Sequence, residues 1–153
     1  MKIPKSKLSK NSLKERAIVV TGAGSGIGRA LSFELAKNNA DLILLSRDQI
    51  KLDSLQDEIK EKFGIEPLTV EFDFFKAKEK DYNFLIENLI DNYTKIDGLV
   101  HVAGILGYLS PFTSTSPSQL ETVMKINFES NFLLTKALML SLIHISEPTR
   151  RTI

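Results

Sequence analysis

Short apolar runs alternate with longer runs of helical period along this chain. Residues 17–20, 40–45, 67–72 and 96–102 are apolar stretches of strand length. Between them, residues 29–38, 49–63 and 77–93 place apolar side chains three or four positions apart, as an amphipathic helix does. The second of these carries Ile50, Leu52, Leu55, Ile59 and Phe63, and the third carries Phe84, Leu85, Leu89, Ile90 and Tyr93. Gly64 stands where a C-cap glycine would end the second helix. A loop with Gly107, Pro111 and a Ser/Thr cluster follows the fourth strand, and Ser116-Pro117-Ser118-Gln119 then opens a fourth helix. There Ser116 is the N-cap, Pro117 takes the first helical position and Gln119 can close a capping box. This helix continues through Leu120, Val123, Met124, Phe128, Phe132 and Leu133. Strand and helix in alternation predict an α/β fold, a parallel sheet with helices on both faces. Right-handed crossovers make it a doubly wound, Rossmann-type sheet of strand order 3-2-1-4.

The candidate chemistry lies at the strand ends. Gly22, Gly24, Gly26 and Gly28 fall within seven residues, directly after the first strand and before the first helix. Strand, glycine turn and helix together aim backbone N–H groups and a helix N-terminus at a phosphate. Glycine also lets a ligand reach the backbone without meeting a Cβ. Ser46-Arg47, Asp73 and Ala103-Gly104 each end another strand. All four sites therefore converge on the edge where doubly wound sheets bind ligands, near the switch between strands one and four.

Composition narrows the alternatives. The 153 residues fit one domain, and 42% hydrophobic with 25% charged residues is the balance of a soluble globular chain. A net charge of +1 gives no bulk electrostatic case for nucleic acid or an anionic membrane. Without cysteine there is no disulfide, thiolate zinc site or cysteine nucleophile. The two histidines, His101 and His144, form no metal-ligand spacing and no Ser-His-Asp set. Residues 1–14 read as a basic arm with five lysines and no apolar core of a secretory signal. The run 132–145 is interrupted by Lys136 and His144, and is shorter than the about 20 apolar residues of a membrane span. A cytoplasmic protein is the expectation.

Thr21-Gly22-Ala23-Gly24-Ser25-Gly26-Ile27-Gly28 resembles the Thr-Gly-x-x-x-Gly-x-Gly signature of the short-chain dehydrogenase/reductase family. His101-Val102-Ala103-Gly104 resembles its Asn-Asn-Ala-Gly motif, with His101 and Val102 in place of the asparagines. The likeness runs over about residues 13–139. It implies a dinucleotide cofactor and hydride transfer between nicotinamide and a carbonyl or alcohol carbon. By the same resemblance Gly22, Ser25, Gly26, Ile27 and Gly28 would admit the pyrophosphate. Asp73, with Phe74 beside it, would meet the adenine, and Ala103 and Gly104 the adenine ribose. Asn127 would be the helix asparagine of the Asn-Ser-Tyr-Lys tetrad, holding a water of the proton relay. Two roles have plainer alternatives: Asp73 could cap its own loop, and Asn127 could bond the strand-four backbone. Thr21 is expected to brace the glycine turn through its hydroxyl, and His101 to be a structural substitute.

Cofactor choice turns on Ser46 and Arg47. An acidic residue at the end of strand two would bind a ribose 2′-OH and repel a 2′-phosphate. Here a guanidinium follows a serine, and its planar fork of donors suits phosphate. The expectation is NADP(H) in preference to NAD(H), which stays possible.

The family's catalytic serine, tyrosine and lysine have no counterpart here. Tyr82, Tyr93 and Tyr108 are followed four residues on by Ile86, Asp97 and Phe112, and all three precede Asn127. Residues 140–150 resemble translated sequencing-adapter DNA rather than a family continuation. The chain therefore reads as a basic arm (1–14), a partial dinucleotide-binding domain (15–139) and a non-native tail (140–153), lacking later strands. Gly98 to Val102 would then be an open edge, with Phe128, Phe132, Leu133 and Leu134 partly exposed. On this reading the parent enzyme acts on a small carbonyl or alcohol substrate as a homo-oligomer, and the chain itself is inactive. The alternative is a non-catalytic nucleotide-binding sensor or scaffold.

Overall fold

The structure, a computed structural model, describes residues 11–146, with side chains as far as Ser141. The basic arm up to Lys10 and the tail beyond Ser146 lie outside the described residues. Strands β1 (Ala17–Thr21), β2 (Asp41–Ser46), β3 (Leu68–Glu71) and β4 (Gly98–Val100) form one parallel sheet in the order β3-β2-β1-β4. Helices α1 (Gly26–Lys37), α2 (Gln49–Phe63) and α3 (Glu79–Asn92) make the crossovers. After β4 come a short 3₁₀ turn (Phe112–Ser114), α4 (Pro117–Met124), a π-helical turn (Lys125–Glu129) and α5 (Ser130–Ser146). The doubly wound sheet and its strand order are those the apolar pattern predicts.

Alternation of side chains divides the core between the two faces of the sheet. Ile18, Val20, Leu42 and Leu44 point to the α1/α2 side with Leu52, Leu55 and Ile59. Val19, Ile43 and Leu45 point to the α3/α5 side with Tyr82, Leu85, Ile86, Leu89 and Leu134. Burial on both faces explains why β1 and β2 are continuous apolar runs rather than alternating ones.

Local signals set most element ends. Gly64 closes α2 at φ 67°, in the left-handed region. Ser116 Oγ accepts from Gln119 N at 3.3 Å while Gln119 Oε1 accepts from Ser116 N at 2.9 Å, the reciprocal box at the start of α4. Other expectations need correction. The first helix starts at Gly26, not Arg29, because the last glycines of the motif already belong to its first turn. β4 stops at Val100, since its pairing with β1 ends with Val20↔Val100. Phe84 is 69% exposed, and Tyr82 and Ile86 take the inner face of α3 instead.

The final helix departs from expectation at Leu134 alone. Leu134 is fully buried and packs with Ala137 and Leu138 in the α3-side core, whereas Phe128 and Phe132 lie outside. The wide turn at Lys125–Glu129 accommodates one extra residue, so the inward stripe runs Ile126, Ser130, Leu134, Leu138. Leu133 is partly buried, as anticipated.

Asp97 ties the starts of β1 and β4 together. Its carboxylate accepts from Arg16 Nη1 at 2.8 Å and from Ala17 N at 3.0 Å, and Lys95 Nζ lies 3.0 Å away. The Arg16 bond, then the Ala17 amide and Lys95, hold its pKa down at about 2, from 3.8. A carboxylate with a lowered folded pKa stabilises the fold above its unfolded pKa, and that contribution disappears as pH falls through the folded value. We therefore expect the melting temperature to fall between about pH 4 and pH 2, and to fall less steeply there in Asp97→Asn. Parallel slopes for the two proteins across that window would refute the assignment.

Candidate functional site

The C-terminal ends of the four strands meet in a cleft of about 330 Å³ between the glycine turn and the segment after β4. One wall is the turn and the first residues of α1, namely Gly22, Ser25, Gly26 and Ile27. The floor and far side carry Ser46 and Arg47 after β2, Asp73 and Phe74 after β3, and Ala103 and Gly104 after β4. Val102, Ile105 and Ile126 complete the lining. Ile105 and Ile126 carry no motif of their own, and Val102 stands where the resemblance places an asparagine. Each stands beside a residue that was singled out, and adjacency to Gly104 and Asn127 was the available signal.

The glycines of the turn do different things. Gly22 has φ +65°, and a Cβ there would lie 2.8 Å from the Ala103 Cα and N. Its lack of a side chain brings the turn against the segment that follows β4. Gly26 has φ +53° with nothing within 4 Å of a would-be Cβ, so its backbone faces open space in the cleft. Gly28 does not line the cleft. It is buried, and a Cβ there would run into the Gly22 carbonyl group, so Gly28 lets the helix start pack under the turn. Ser25 is the N-cap of α1 but its hydroxyl makes no capping bond. The first backbone N–H groups of α1 have no partner within the helix and open toward the cleft at its positive end.

Thr21 corrects the expectation for its hydroxyl. Rather than bracing the glycine turn, Oγ1 accepts from Val102 N at 3.0 Å and Ala103 N at 3.1 Å. It continues the β1–β4 seam after the ladder has ended, and only 1% of the residue is exposed.

Asp73 caps its own turn. Its Oδ1 accepts from Phe75 N at 2.9 Å and Lys76 N at 3.3 Å, while the carboxylate still borders the cleft. Phe74 is 7% exposed and belongs mainly to an aromatic cluster with Phe72 and Tyr82. Within that cluster burial, then the nearby Glu129 carboxylate, pushes the Tyr82 phenol up to about 12. Tyr82 is thus a protonated core residue at any working pH.

Asn127 lies in the π-helical turn, behind the lining. Its Oδ1 accepts from Ile105 N and its Nδ2 donates to Ile105 O, both at 2.8 Å. The side chain so completes a two-bond fork to the segment after β4. Gly104 makes room for it, since a Cβ there would lie 3.3 Å from Asn127 Oδ1. His101 Nε2 meets Thr135 Oγ1 at 2.9 Å, joining the exit of β4 to α5. Burial lowers the His101 pKa, which favours the neutral ring. Arg47 is exposed at the rim and makes no hydrogen bond or ion pair among the described residues. Among the same residues no cluster of His, Cys, Asp or Glu could hold a metal, and no helix is long and apolar enough to cross a membrane.

A doubly wound sheet with this cleft at its switch point is a Rossmann-type α/β domain. Residues 16–148 match the short chain dehydrogenase family, and the chain belongs to that family. It is 35% identical over 127 residues to the oxidoreductase YciK of Escherichia coli K12, covering 83% of this chain and 50% of that protein. It is 43% identical over 103 residues to the very-long-chain 3-oxoacyl-CoA reductase let-767 of Caenorhabditis elegans, covering 64% of this chain and 32% of the reductase. Among solved structures, a short chain dehydrogenase from Escherichia coli CFT073 complexed with NADPH superposes with a TM-score of 0.84 at 34% identity, over 91% of this chain and 57% of that one. The chain thus spans half or less of the length of these curated relatives.

Proposed function

We propose that this chain forms the dinucleotide-binding part of an NADP(H)-dependent oxidoreductase that interconverts a carbonyl and an alcohol. The observation that carries the reading is the cleft itself. It brings the glycine turn, the uncapped Ser25 hydroxyl, the α1 N-terminus, Ala103-Gly104 and the unpaired Arg47 to one place. The donor set fits a dinucleotide: free N–H groups and a hydroxyl for the pyrophosphate, and a guanidinium at the rim for a 2′-phosphate. Ala103 and Gly104 present backbone to the ribose, and Asp73 borders the cleft where the adenine would lie. When bound, the nicotinamide supplies the carbon that gives or takes hydride. Asn127 holds the wall beside it by fixing Ile105. Two related short chain dehydrogenases, from Escherichia coli CFT073 and Shigella flexneri 2a, were solved with NADPH and NADP respectively, which supports the choice of phosphate form.

No tyrosine in the sequence is followed by lysine at the fourth position, so the chain as written binds cofactor without turning over substrate. Titration of the 153-residue chain tests both halves. NADPH should bind at least about tenfold more tightly than NADH, the worth of one charge-assisted contact. Arg47→Ala should remove most of that difference, and carbonyl reduction should not be detectable. Equal affinity for the two cofactors, unchanged by Arg47→Ala, would overturn the preference.

A further inference from the structure

Arg47 at the rim has charged neighbours just outside the cleft lining. Asp48 follows it directly as the N-cap of α2, its Oδ1 accepting from Lys51 N at 3.1 Å. A carboxylate so close to Arg47 opposes a phosphate in the same place, and alone it would cancel the guanidinium. Lys51 Nζ lies 3.4 Å from Asp48 Oδ2. The stem of Lys51 packs against the glycine turn, since a Cβ on Gly24 would lie 3.2 Å from Lys51 Cβ and 3.0 Å from Ser46 Oγ. Lys51 therefore stands beside Ser46, a residue of the cleft floor, with its side chain 57% exposed. The pair with Asp48 is the one charged contact of Lys51 among the described residues. The first turn of α2 holds no acidic residue, and a cation in that turn opposes the helix dipole.

Building on the dinucleotide reading above, we infer that Lys51 is a second specificity-determining residue for the 2′-phosphate, acting by neutralising Asp48. With Lys51 the group Arg47, Asp48 and Lys51 keeps one positive charge in excess; without it Arg47 and Asp48 cancel. Along the sequence Arg47 is the one basic residue directly after β2, and Ser25 leaves the glycine turn without a charge. The structure supplies a second charge from α2 instead.

The test is fluorescence titration of NADPH and NADH against the 153-residue chain, Lys51→Gln, and Asp48→Asn/Lys51→Gln. Asparagine keeps the N-cap, so the double variant retains the helix start. Lys51→Gln should weaken NADPH about five- to tenfold and leave NADH unchanged, with a flatter salt dependence for NADPH. The double variant should recover most of the loss. An unchanged NADPH/NADH ratio in Lys51→Gln, with the parent chain still preferring NADPH, would overturn the role of Lys51 and leave the dinucleotide reading standing. A loss that the double variant does not recover would overturn the action through Asp48. If the parent chain binds both cofactors equally, or neither, the reading beneath it fails first.

Discussion

Gly28→Ala should destabilise the chain by about 1–3 kcal/mol, the usual cost of forcing an extra methyl into a closed contact, and should weaken dinucleotide binding more than tenfold. The methyl would meet the Gly22 carbonyl, and the carbonyl carbon would stand only 2.8 Å away. Neither partner is a flexible side chain. The start of α1 and the glycine turn must separate, and that separation disperses the N–H groups at the cleft wall. Gly64→Ala is the control. Gly64 also has a positive φ, +67°, but no atom lies within 4 Å of its would-be Cβ. Its cost should be left-handed strain alone, about 1–2 kcal/mol, with cofactor affinity untouched. Urea unfolding and NADPH titration of the two variants separate the effects. Equal loss of affinity in both would show that the Gly22–Gly28 contact has no special part in the site.

Thr21→Val should cost about 2–4 kcal/mol, because two backbone N–H groups lose their acceptor at a buried site and each unsatisfied donor is worth about 1–3 kcal/mol. Valine keeps the branched shape and removes the oxygen. Thr21→Ser keeps the oxygen and loses one methyl, so it should retain most of the stability. The segment 102–105 forms part of the cleft lining, so cofactor binding should weaken along with stability in Thr21→Val. If valine is tolerated and serine destabilises, the methyl rather than the hydroxyl holds the seam.

What could be read from the sequence was what depends on near neighbours. The glycine motif is decided within eight residues, and the left-handed Gly64 and the Ser116–Gln119 box within four, and the last two are found where their patterns place them. The strand order follows from alternation and handedness, which are general rules. The misses depend on distant partners. Thr21 meets residues 81 and 82 positions away, and nothing in its local sequence distinguishes a bond across the sheet from one within the turn. Lys51 reads as an ordinary polar position of an amphipathic helix until α2 is packed beside Gly24. The π-helical turn has no residue signature, yet it decides that Leu134 faces inward and Phe132 outward.

The two polar tethers between the β4 segment and the last helix also have a mechanical meaning. Asn127 holds Ile105, and Thr135 holds His101, so the helix runs back along the strand exit in the opposite direction. A rod pinned at one point can roll about its axis, whereas a rod pinned at two points along a rigid edge cannot. The roll angle of this helix, and with it the direction in which Phe128 and Phe132 are presented, is therefore fixed by two hydrogen-bonded pins rather than by packing alone.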